Sequence, residues 1–446
     1  MRRVVPARQP LARSISVAWL VAVTLAITVG GCGGKKRQRR TGDAAPVEVI
    51  TAPLPSGSGA GGTSDEREPN DSSDVATTLA IPGTVRGKIE PDADADYFRI
   101  DVTQAGALTV TTTAVDADLI VEIEDGAGTV IARSDRGAVR VREGVPNLGV
   151  TPGRYTAIVK KKPPPAPKKT RGKKAAAATT PPAGPAVSYE ISAQLAAPAA
   201  NVEREPDDDR GTANDLIPGD PVTGFVGWNA DVDVWKLSVE ALSANNAIDI
   251  EVGAVEGVAL QLELADGVGQ LLLVRKAPKG APLVARNVLP VVPSGAPPFH
   301  YVTIKGERSN PETAYQLRVT AKPFEALDAE IEPNDLVDKP MTFPAERTIV
   351  HGNWSAGDVD CYALAADVAA RSFDLVLDGE PDLSLEVLID GKVVAKSELK
   401  GKGTVEKLSA PVPPNVTAIV RVRGAADATG EGTYDLTVRE GPASGP

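Results

Sequence analysis

One short acidic stretch occurs three times in this chain. It reads Glu66-Arg67-Glu68-Pro69-Asn70-Asp71, then Glu203-Arg204-Glu205-Pro206-Asp207-Asp208, then Glu330-Ile331-Glu332-Pro333-Asn334-Asp335. A second acidic signature follows each copy: Asp94-Ala95-Asp96-Tyr97-Phe98, Asp231-Val232-Asp233-Val234-Trp235 and Asp358-Val359-Asp360-Cys361-Tyr362. From the second Glu to the first Asp the distance is 26 residues in every copy (94 − 68, 231 − 205, 358 − 332). The copies lie 137 and 127 residues apart (205 − 68 and 332 − 205). Two signatures holding one internal spacing predict three homologous modules in tandem.

Between the signatures run short apolar or alternating stretches bounded by Gly, Pro, Asp and Asn. In the first module they fall at 97–102, 108–113, 119–124, 129–133 and 155–159. Period-2 patterning at this spacing predicts antiparallel strands in a sandwich. Asp125-Gly126 and Asp390-Gly391 are hairpin-turn candidates. Each module closes on similar strands, at 188–191, 314–317 and 433–436, preceded by penultimate strands at 155–159, 301–304 and 418–422. The predicted fold class is therefore all-β: three antiparallel β-sandwiches at 66–197, 198–325 and 326–440. By this alignment the Lys- and Pro-rich segment 160–186 is a hairpin-loop insertion within the first module. It carries eight basic residues and no acid, and suits either a solvated loop or a grip on anionic envelope polymer or lipid.

The N-terminal 31 residues have a basic start (Arg2, Arg3, Arg8, Arg13) and an apolar run from 15 to 29. This is the pattern of a secretory signal. Its end, Val29-Gly30-Gly31-Cys32, resembles a bacterial lipobox, which implies lipidation of Cys32 and attachment to a membrane. Gly33 at the next position implies sorting to the outer membrane. Residues 32–65 read as a lipidated tether. Lys35, Lys36, Arg37, Arg39 and Arg40 would lie near lipid headgroups, and the Pro/Gly/Ser-rich part has nothing with which to build a core.

Residues two apart on a strand face one side. Glu66 and Glu68 then project together, and Asp96 shares a face with Phe98 and Ile100, with Asp94 just beyond. A carboxylate at the rim of a core is costly unless paired or hydrogen-bonded. Two readings meet that cost: a hard divalent cation among the acids, or Asp side chains that cap turns. The ordered pair of motifs resembles the bacterial pre-peptidase C-terminal domain family, which includes collagen-binding domains of secreted collagenases. That resemblance covers nearly all of 66–440. It implies non-catalytic jelly-roll-like sandwiches, some holding calcium at the acidic motif. Carried over by position, the ligands would be Glu66, Glu68, Asn70, Asp71, Asp94 and Asp96 in the first module. In the second they would be Glu203, Glu205, Asp207, Asp208, Asp231 and Asp233. In the third they would be Glu330, Glu332, Asn334, Asp335, Asp358 and Asp360. Either Asp of each Asp-x-Asp pair could serve.

A formal charge of −11 argues against nucleic acid and fits divalent cations. The only histidines, His300 and His351, form no zinc-hydrolase spacing. Cys361 reads as a small unpaired residue facing away from Tyr362. Trp235 falls at a core position, and Trp228 and Trp354 stand at matching places with a structural role expected. Taken together, the sequence predicts a non-catalytic, lipid-anchored cell-envelope protein of three binding or structural modules. Its partners would be an envelope polymer, a glycan or a protein. An adhesin or carbohydrate-binding protein, and an accessory to a secreted peptidase, are the rival readings.

Overall fold

A computed structural model describes residues 61–90, 94–162, 185–240, 242, 246–292, 294–324, 328–426 and 428–441. The leader, Cys32, residues 33–60 of the tether and most of the basic insertion lie outside them. The described residues form 28 strands and no helix.

The strands make six sheets in three facing pairs. In the first pair, one sheet runs Thr63–Asp65, Gly83–Ile89, Val187–Ala196, Gly106–Thr112, Gly144–Val150. The other runs Thr77–Thr78, Ala95–Val102, Gly153–Lys161, Leu119–Glu124, Val130–Ser134. Apart from the two short leading strands, neighbours are antiparallel. The second and third pairs repeat this order, with the counterpart of Thr63–Asp65 reduced to a single parallel bridge, Val202 to Thr223 and Ala329 to His351. Alternation drives the layering: along Ala95–Val102, residues 96, 98, 100 and 102 are buried. Each pair closes on its own apolar cluster, built around Phe98, Trp235 and Tyr362 respectively.

Two expectations are corrected. The penultimate and last strands do not form a hairpin. Gly153–Lys161 lies in one sheet and Val187–Ala196 in the other, as do Phe299–Gly306 and Tyr315–Pro323, and Ala418–Gly424 and Glu431–Gly441. The connection crosses the sandwich, because the last strand is needed between Gly83–Ile89 and Gly106–Thr112. The segment read as tether also ends in structure: Thr63–Asp65 pairs in parallel with Thr84–Arg86. Backbone pairing at a sheet edge needs no apolar side chains, and these three residues are exposed.

The sheet pairs are stitched together in one repeated way. Glu205 N–H donates to Asn147 O at 3.1 Å, and Gly149 N–H donates to Glu205 O at 2.6 Å. At the next junction Glu332 N–H donates to Asn287 O at 3.1 Å, and Leu289 N–H donates to Glu332 O at 2.9 Å. Asn147 and Asn287 hold φ of 51° and 52°, a left-handed conformation that Asn tolerates better than most residues.

Candidate metal centres

The repeated Glu-x-Glu-Pro-Asx segment is held by the same backbone bonds in each module. The first Glu is fixed twice. Its N–H donates at 2.9 Å to Arg86 O, Thr223 O or His351 O. Its carboxylate accepts from the N–H of Lys88 at 2.7 Å, Phe225 at 2.8 Å or Asn353 at 2.7 Å. The second Glu accepts from the N–H two residues on, at 3.0, 2.9 and 2.8 Å in Asn70, Asp207 and Asn334. The carbonyl of that Asx residue then takes the N–H of Tyr97, Val234 or Cys361, at 3.0, 3.2 and 3.1 Å. This last bond ties the two signatures together.

The result is one acidic corner per module. Oxygens of Glu66, Glu68 and Asp96 lie within 4.8 Å of one another, as do those of Glu203, Glu205 and Asp233, and of Glu330, Glu332 and Asp360. The second Asp of each pair, not the first, completes these triads. Two carboxylates at that distance repel by roughly 3.5 kcal/mol at an effective dielectric near 20. Burial makes matters worse. Glu203, Glu205, Asp207, Asp231 and Asp233 are all buried, as are Glu330, Glu332, Asp358 and Asp360. In the first module only Asn70 and Asp96 are buried; Glu66 and Asp94 are half-buried, and Glu68 is exposed.

Burial accordingly pushes the Asp96 carboxyl up to about 8, with the Tyr189 hydrogen bond opposing and Glu66 and Asp94 adding to the rise. Glu205 is pushed up to about 12 by burial and then by Asp231 and Asp207. Glu203 and Asp233 rise well above the carboxylate range by burial and then by neighbouring acids. Many inward oxygens have no donor: Asn70 Oδ1, Asp96 Oδ1, Glu203 Oε2, Glu205 Oε1, Asp207 Oδ1, Asp231 Oδ1, Asn334 Oδ1 and Asp360 Oδ1. Buried polar atoms are rarely left so. All are hard oxygen donors, the set that calcium takes, so the residues present fit a divalent cation.

A tyrosine from the last strand lies over each corner. Tyr189 hydroxyl donates to Asp96 Oδ2 at 2.5 Å and Tyr434 hydroxyl to Asp360 Oδ2 at 2.7 Å. Tyr315 hydroxyl interacts with Asp233 and accepts from Trp235 Nε1 at 2.9 Å. Each ring rests on a glycine paired across the sheet: Gly87, Gly224 and Gly352. A Cβ on these would come within 2.5, 2.3 and 2.1 Å of the ring or its hydroxyl. These tyrosines and glycines escaped the sequence reading, although the tyrosine recurs in every closing strand.

The third corner differs. Arg275 enters it from the strand Leu271–Lys276 of the preceding sheet pair. Its Nη1 donates to Asp335 Oδ1 at 2.8 Å, Nη2 lies 2.7 Å from Asp358 Oδ1, and Nη2 also bonds Glu332. Burial still lifts Asp358 to about 6, with Arg275 opposing.

The sequence-predicted set thus divides. Asp71 and Asp208 are exposed at the rim, and Asp208 accepts from Val232 N–H at 3.3 Å. Asp94 takes the N–H of Glu90 at 2.6 Å and Asp231 that of Gly227, the turn-capping role that competed with the cation. Cys361 is free and buried, its thiol 3.7 Å from Asp335 O. Trp228, Trp235 and Trp354 are all buried.

Fold and site define an all-β protein of stacked sandwiches with acidic corners at their entrances. Neither a family model nor a curated protein matches the chain. Among solved structures it is similar to the pre-peptidase C-terminal domain of collagenase from Bacillus anthracis, with 18% identity over 22% of this chain and 92% of that one and a TM-score of 0.19. It is also similar to a putative secreted protein from Eubacterium rectale, with 12% identity over 57% and 81% and a TM-score of 0.18. A third is the N-terminal CBM22-1-CBM22-2 tandem domain of Paenibacillus barcinonensis Xyn10C, with 13% identity over 46% and 82% and a TM-score of 0.13.

Proposed function

We propose that this is a non-catalytic, lipid-anchored protein of the bacterial outer membrane, whose three sandwich modules display binding or structural surfaces and are stiffened by calcium at their entrances. The observation that carries the cation is the set of buried, donorless carboxylate oxygens in the second and third corners, with Asp96 Oδ1 as the single one in the first. Glu-x-Glu supplies two of the oxygens and the second Asp of Asp-x-Asp the third, while Asn70, Asp207 and Asn334 add an adjacent side-chain oxygen. A bound ion would both offset the repulsion and join the first signature to the second. Lipid attachment rests on Val29-Gly30-Gly31-Cys32 and on the apolar run before it. The partner would be an envelope polymer, glycan or protein. Trp228, Trp235 and Trp354 are buried and offer sugar no aromatic platform, which weighs against the carbohydrate-binding reading.

A melting curve tests the cation. Calcium added to chelator-treated protein is expected to raise Tm by several degrees, since an ion that binds only the folded state stabilises it. An unchanged curve after complete removal of divalent ions rejects calcium. Clear turnover of casein or generic esters by the purified chain would reject the non-catalytic reading.

A further inference from the structure

The third corner contains a positive charge that the second lacks, and a neighbouring module supplies it. Arg275 is 1% exposed, and its guanidinium spans Glu332, Asp335 and Asp358. Those three carboxylates are close enough to share one ion, each offering an oxygen within 4.8 Å of the others. The deeper triad of Glu330, Glu332 and Asp360 meets the guanidinium only through Glu332. In the first module the position that matches Arg275 is Ser134: Ser134 pairs with Val121 as Arg275 pairs with Leu262. The Ser134 hydroxyl bonds Glu143 within its own module. Among the described residues, no Lys or Arg forms an ion pair with Glu203, Glu205, Asp207, Asp231 or Asp233. The two enclosed corners therefore share their Glu-x-Glu and Asp-x-Asp acids, differ at Asp207 against Asn334, and are unlike in counter-charge.

We propose that Arg275 is a built-in counter-ion: it stands where a second divalent cation would sit in the third corner, and it ties the third module to the second whatever the calcium concentration. The inference rests on reading these corners as cation sites. A guanidinium suits the place because its planar fork can meet several carboxylates at once. Being part of the chain, it is not lost by dilution or chelation. The third corner then takes one ion fewer than its carboxylates allow, and the second corner depends wholly on ions from solution.

The test compares the full chain with R275S, which installs the first module's residue, and with R275K, which keeps one positive charge. Bound calcium is counted by equilibrium dialysis, and Tm is read with calcium and with chelator. R275S is expected to bind one more calcium per chain than wild type, to melt lower in chelator, and to recover in calcium, so that its calcium-induced rise is the larger. R275K is expected to match wild type in both. Folding of R275S in calcium alone would be the extreme form of the same result. A wild-type calcium count in R275S, an equal loss of Tm with and without calcium, failure to fold in either, or an enlarged calcium response in R275K each overturns the proposal. Wild-type protein with no calcium response sinks the cation reading itself, whereas this inference fails on the difference between R275S and wild type.

Discussion

A carboxyl group with one oxygen facing a dry interior must find a proton or a cation. Asp96 shows the choice: its carboxyl is fully buried and raised to about 8, from an ordinary value near 3.8. Between those values the folded state holds a proton that the unfolded state has released. Its stabilising contribution is complete below about pH 4 and fades as pH rises toward 8. The Glu330 carboxyl, also pushed up to about 8, works in the same direction. In chelator, Tm is therefore expected to fall steadily from pH 5 to pH 8. Calcium should flatten that slope, because the ion holds the ionised form that the proton otherwise replaces. Parallel slopes in calcium and chelator would contradict a shared site. At this scale the sequence was informative where geometry is rigid. Residues two apart on the Glu-x-Glu segment share a corner, as expected. Asp71 and Asp208, one step past the Asx residue, point to solvent. Arg275 was not legible, since its partners lie 57, 60 and 83 (358 − 275) residues downstream in another module.

The strand-level feature that most shapes the corner is the pairing of a glycine with a tyrosine. Tyr434 lies across Gly352, and its hydroxyl reaches Asp360. A methyl group at 352 would sit 2.1 Å from the ring carbon bearing that hydroxyl, so the ring must move and take its hydrogen bond with it. Gly352→Ala is expected to cost about 1–3 kcal/mol, read as a shift in denaturant midpoint without a change in slope. A loss within measurement error would show that the ring has room. Similar substitutions at Gly87 and Gly224 should act alike. The glycines also explain which strands were missed. Gly83–Ile89 and Gly144–Val150 contain Gly and Pro at positions that usually signal turns, yet Gly87 is there to admit Tyr189 and Asn147 to make the intermodule bond. Strands rich in Val, Leu and Ile, such as Leu119–Glu124, were plain from patterning. The crossing of the last connection between sheets was not, because alternation marks a strand without naming its neighbour.

Over the whole molecule the question is whether the sandwiches act singly or together, and two tryptophans separate the possibilities. Trp228 precedes Asp231 by three residues and Trp354 precedes Asp358 by four. A slip of one residue in extended chain turns a side chain to the opposite side. Trp354 accordingly stays in its own module's core and donates to Asp358 O at 3.1 Å. Trp228 instead packs into the core of the module before it, among residues such as Leu148 and Val145. A buried indole removes on the order of 200 Å² from water, worth roughly 5 kcal/mol. That is ample to couple two domains whose other links include a few backbone bonds, the Asp135 N–H bond to Asn229 and the Arg136–Glu312 and Arg142–Glu312 ion pairs. Trp228→Ala and Trp354→Ala should each cost about 3–5 kcal/mol, but in different places. By differential scanning calorimetry, Trp354→Ala is expected to lower a single transition belonging to the third module. Trp228→Ala should lower the first module's transition while separating it from the second's. If both variants gave the same profile, with every transition lowered together, Trp228 would not be acting as a joint between modules.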